Sequence, residues 1–148
     1  MDNKKTILVN KFCKINEENI TNIDDRLIAI NVITNEEEKG FINYCLAIDS
    51  FWQCCETFGT ALSKISEFNS DNVFVSKIEL DVSLNKEEVE LLKKINNEFD
   101  EEYEYYACKV YGENNLLAIG VVFNHHNGFY EHKVEVLENG KVIYENYL

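Results

Sequence analysis

Leu116-Leu117-Ala118-Ile119-Gly120-Val121-Val122-Phe123 is apolar on both faces. A strand with water on one side alternates apolar and polar residues, so a run without a polar side needs cover on both. It reads as a central strand with a helix over one face. Turn signals bracket it, Gly112-Glu113-Asn114-Asn115 before and His125-His126-Asn127-Gly128 after. Tyr103–Tyr111 leads in and Phe129–Leu137 leads out. Glu138-Asn139-Gly140-Lys141 then turns into Val142–Tyr147. Two Asn-Gly pairs between strand patterns are the strongest short hairpin signal. The last third therefore reads as a four-strand meander paired in sequence order.

A helix to cover that strand starts at Leu84-Asn85-Lys86-Glu87-Glu88-Val89. Asn85 caps it, Glu88 closes the capping box, and Leu84 staples against Val89. Leu92, Ile95 and Phe99 form its core face. A second helix is expected after Phe51-Trp52-Gln53-Cys54-Cys55-Glu56-Thr57-Phe58-Gly59, with Phe58, Leu62, Ile65 and Phe68 on one side. Gly59 weakens that helix.

Upstream, Ile28, Ile30 and Val32 alternate in one strand, and Ile42, Tyr44, Leu46 and Ile48 in the next. Asn35-Glu36-Glu37-Glu38-Lys39-Gly40 is the hairpin loop between them. Phe74 to Val82 alternates again. Residues 1–25 fit a short strand or a short helix equally well, through Ile7, Leu8, Val9 and Phe12. The expected fold is α+β in one domain, 1–148: an antiparallel sheet with hairpins and a C-terminal four-strand meander, packed by about two helices.

The net charge is −13 and Arg26 is the one arginine. Phosphate recognition leans on the arginine fork, so direct nucleic-acid binding is disfavoured. A field of that sign attracts basic partners, including proteins that themselves handle nucleic acid. No apolar run reaches membrane-spanning length, and no cleavable leader is read, so the expected compartment is the cytoplasm. Five cysteines at irregular spacing form no zinc frame and are expected as free thiols.

Four groups are candidates for function. Trp52, Cys54, Cys55 and Glu56 sit at a strand-to-helix corner, where a helix N-terminus can activate a thiol. Packing of two small side chains is the plainer account. Metal binding by Cys54, Cys55, His125 and His126 is disfavoured, because neighbouring side chains in a strand diverge. Glu36, Glu37 and Glu38, and Glu101, Glu102 and Glu104, are carboxylate sets suited to facing a basic partner. Tyrosines of the last third, Tyr130 among them, suit an interface better than base stacking.

Cys54-Cys55-Glu56, the Phe74–Val82 strand and the Asn127-Gly128-Phe129-Tyr130 hairpin together resemble an uncharacterised family of small phage and prophage proteins. The similarity spans residues 40–137. Trp52-Gln53 before the cysteines, Phe58-Gly59 after the glutamate and the longer acidic helix depart from that pattern. The resemblance implies a mobile-element origin and no known reaction. Small acidic proteins of such elements look like inhibitors of host defence.

The expectation is a non-enzymatic binding protein without a cofactor. Its acidic surface would engage a basic, nucleic-acid-handling protein, such as a host defence effector or a toxin. A sponge for a nucleotide signal at the Cys-Cys-Glu corner and the Asn-Gly hairpin is the alternative, and a cysteine-dependent enzyme the second. A homo-oligomer is left open.

Overall fold

The computed structural model describes residues 5–16, 21–23, 25–35, 40–50, 57–125 and 131–148. Among them are ten strands: β1 (Lys5–Ile15), β2 (Thr21–Ile23), β3 (Arg26–Thr34), β4 (Asn43–Asp49), β5 (Thr57–Lys64), β6 (Val73–Leu80), β7 (Glu104–Tyr111), β8 (Leu116–His125), β9 (Lys133–Glu138) and β10 (Lys141–Tyr147). One helix, α1 (Lys86–Ile95), lies between β6 and β7. All the strands belong to one antiparallel sheet in the order β10-β9-β4-β3-β1-β6-β7-β8-β5, with β2 beside β3. The fold is mainly β, which corrects the α+β expectation.

β1 joins the two halves. Its residues Cys13–Ile15 pair with β3, and Lys5–Cys13 pair with β6. A bulge between Leu8 and Lys11 interrupts the β6 ladder, with Asn10 at φ 50°. An extra residue bends a strand and strengthens its twist. The halves on either side of β1 pack against each other. Ile30 and Leu46 of one half share a core with Val75, Tyr106, Leu117 and Val122 of the other.

β8 is central, between β7 and β5. Its inner residues Ala118 and Val122 enter that core, while Ile119, Val121 and Phe123 meet the helix on the outer side. α1 covers this outer face with Val89 and Leu92, joined by Phe99. Burial of a side chain such as Leu92 stabilises by about 1.5–3 kcal/mol. Asn85 and Glu88 form the complete capping box. Glu88 also meets Lys109 of β7 at 2.9 Å, so the cap ties the helix to the sheet.

Two expected elements are corrected. The stretch carrying Phe58 and Leu62 is strand β5, and no second helix occurs among the described residues. A spacing of four residues fits both a helical face and a strand face, so Phe58 and Leu62 satisfied either period. The other face of β5 carries Gly59, Ala61 and Ser63, small enough for α1 to lie close. A Cβ on Gly59 would come within 3.3 Å of Asn96 Nδ2.

The four-strand meander is the second correction. β7 and β8 pair, and β9 and β10 pair, but β9 lies on β4 in the other half of the sheet. The second neighbour of β8 is β5. The stretch left open at the N-terminus is a strand, β1.

Candidate binding surfaces

One candidate group, Glu101, Glu102 and Glu104, lies at one end of the sheet, where the residues bordering two others, Thr57 and His125, also fall. There Thr57 opens β5 opposite His125, the last residue of β8, and Glu104 opens β7 opposite Asn124. Asp49, the last residue of β4, reaches His132 just ahead of β9. His132 Nδ1 donates to Asp49 Oδ1 at 2.7 Å, and Lys133 N–H donates to Oδ2 at 2.7 Å. The His132 ring is buried and stacks on Phe58 at 4.0 Å. His132 and Leu148 exchange two backbone hydrogen bonds, and Asn124 Nδ2 donates to the Leu148 carbonyl. This polar cluster clasps β4, β5, β8 and β9 together.

Trp52, Cys54, Cys55 and Glu56, and Asn127, Gly128 and Tyr130, lie outside the described residues. Their bordering residues are neighbours all the same: Thr57 follows the first group, His125 precedes the second, and the two pair across β5 and β8. His126 is also outside the described residues.

Glu101, Glu102 and Glu104 are described and exposed at this same end. Asp100 organises the loop, its carboxylate accepting from the Glu102 N–H and its carbonyl from the Tyr103 N–H. The Tyr103 ring stacks on His125 at 4.1 Å. Among the described residues, neither Glu101 nor Glu102 has an ion-pair partner within 4.0 Å.

Three thiols, Cys13, Cys45 and Cys108, are buried and free. Burial pushes Cys13 and Cys45 up to about 11, and Cys108 up as well. Thiols in such surroundings are poor nucleophiles.

The other end of the sheet carries a surface that the sequence pattern did not single out. β3 spans nine residues from Arg26 beside Asp49 to Thr34, so the two ends stand about 26 Å apart. At the far end Asn35 N–H donates to the Phe12 carbonyl, and its side chain donates to Asp71 O and Asn72 Oδ1. Phe12 packs edge-on against Phe74 at 5.5 Å and is 56% exposed. Leu8, on the same outward side of β1, is 73% exposed. A signal was present in the sequence: β1 carries apolar residues at both parities, with Ile7, Val9, Cys13 and Ile15 inward and Leu8 and Phe12 outward. The segment holding Glu36, Glu37 and Glu38 lies outside the described residues, between Asn35 and Gly40.

No helix among the described residues is long and apolar enough to cross a membrane. No protein-family model, curated protein or solved structure matches the chain.

Proposed function

We propose that the chain is a non-enzymatic binding protein whose acidic surface engages a basic, nucleic-acid-handling protein. The host defence effectors and toxins that a mobile element meets are partners of that kind. The observation that carries this reading is the Asp100–Glu104 loop. It holds Glu101 and Glu102 in solvent, neither ion-paired within 4.0 Å among the described residues although Lys93 meets the neighbouring Asp100 at 3.9 Å, in a chain of net charge −13. Charges left unpaired on a surface add little to stability and much to steering of an oppositely charged partner. The buried, poorly acidic thiols agree with a binding role rather than cysteine chemistry at those three positions.

Immobilised full-length chain exposed to a bacterial lysate should retain a protein with a basic surface, released by salt. Mass spectrometry of the eluate for proteins and small molecules tests this directly. Recovery of a nucleotide without a protein would replace this reading with the nucleotide sponge.

A further inference from the structure

We propose that the free edge of β10 pairs with β10 of a second copy, joining two sheets across a two-fold axis through Asn146. The sheet ends at β5 on one side and at β10 on the other. α1 closes on the first of these edges, where Asn96 Nδ2 donates to the Thr60 carbonyl at 3.1 Å. At the second, no strand among the described residues lies beyond β10. Lys141, Val142, Glu145, Asn146 and Tyr147 are all exposed there, Tyr147 at 53%. A strand edge left open presents a row of N–H and C=O groups that another strand can pair with.

Register and charge select the occupant. A bulge at Ile143 leaves Tyr144–Tyr147 as the regular stretch of the edge. His132 and Leu148 exchange both backbone hydrogen bonds, so by alternation Tyr147 and Glu145 turn their N–H and C=O groups away from β9. A two-fold axis through Asn146 sets Glu145 of each copy against Tyr147 of the other, and these outward groups then pair. An axis through Glu145 would oppose the two glutamates, which is destabilising. The chain carries −13, and like charge holds copies apart over most of its surface. This rim is balanced instead. Arg26 meets Glu135 at 3.0 Å, Lys133 meets Glu135 at 4.0 Å, and Lys133 meets Glu145 at 3.3 Å. Two cations thus offset two carboxylates up to the edge. A basic strand would find no surplus carboxylate in that network, whereas a second β10 is complementary to the first.

The test uses the full chain alone, so it stands apart from the identity of any basic partner. The contact is small, and sedimentation should show a weak dimer that dissociates on dilution. Tyr147→Pro removes an N–H that points away from β9, so it spares the β9 ladder and should raise the dimer Kd by about tenfold or more. Asn146→Cys supplies a second measurement that does not depend on that variant folding. Facing residues at a non-hydrogen-bonded pair stand about 4.5 Å apart at Cα, within disulfide reach. Diamide should therefore convert Asn146→Cys into a covalent dimer much faster than Glu113→Cys, an exposed control in the β7–β8 turn. A chain that stays monomeric at about 0.5 mM, with Asn146→Cys cross-linking no faster than the control, would overturn the proposal. A dimer that folded Tyr147→Pro leaves intact would place the contact elsewhere and contradict it as well.

Discussion

Gly120 of β8 stands directly against Ile30 of β3: a Cβ at Gly120 would lie 2.1 Å from Ile30 Cγ1 and 2.5 Å from its Cδ1. The two strands belong to opposite halves of the sheet, and the missing side chain lets the halves close on one another. Gly120→Ala should therefore lower the unfolding free energy by about 3 kcal/mol, measured by urea denaturation. Ile30→Ala should also destabilise, by opening a cavity. Combined, the two should cost clearly less than their sum, because the second removes the atoms that clash with the first. Strict additivity would contradict the packing described here.

Asn85 and Glu88 give a second stability test. Asn85→Ala removes the acceptor for the Glu88 N–H and should cost about 1 kcal/mol. Glu88→Ala should cost more, since it removes the bond to the Asn85 N–H and the 2.9 Å contact with Lys109 together. Equal losses for the two would mean that the ion pair adds nothing.

How far these features were legible in the sequence depends on the range of the interaction. The Asn85 cap and the two-sided apolar run of β8 are local patterns with one physical solution, and both read correctly. Phe58 and Leu62 failed because their spacing suits either period, and the small residues Gly59, Ala61 and Ser63 acquire meaning only once α1 lies above them. β8 and β9 failed for another reason. A turn signal between strands reports reversal of the chain and not pairing, and pairing was settled by which faces had apolar surface to bury. Of the acidic groups, Glu101, Glu102 and Glu104 are where the sequence suggests, in solvent. The exposure of Leu8 and Phe12 left only a parity signal in β1, and strand parity alone does not reveal which face a distant helix covers.

Tyr106 supplies a third prediction. Its hydroxyl is buried and has no hydrogen-bond partner among the described residues. An unsatisfied buried polar group costs about 1–3 kcal/mol, so Tyr106→Phe should leave the melting temperature equal or higher. A clear fall would show that the hydroxyl is satisfied in solution.

The thiols predict an alkaline limit on stability. Cys13 and Cys45 are raised from 9.0 to about 11 by burial, so the folded chain holds protons that the unfolded chain releases. Their contribution is whole below pH 9 and is lost as pH rises through 9 towards 11. Tyr44 and Tyr106, also raised by burial, add to the fall from about pH 10 upward. Urea midpoints taken at pH 8, 9.5 and 10.5 should decrease in that order. The Cys13→Ala and Cys45→Ala variants should show a shallower decline, and an unchanged slope would count against the burial of these thiols.

The association rate of the chain with its retained basic protein, followed against salt, tests the central claim most directly. Electrostatic steering predicts a fall of about tenfold or more in the on-rate between low salt and about 0.5 M, with little change in the off-rate. Glu36→Lys, Glu37→Lys and Glu38→Lys together should weaken both that salt dependence and the affinity. Glu101→Lys, Glu102→Lys and Glu104→Lys together should slow association while sparing the off-rate. An on-rate indifferent to salt, with affinity unmoved by either set of reversals, would contradict an acidic surface as the basis of binding.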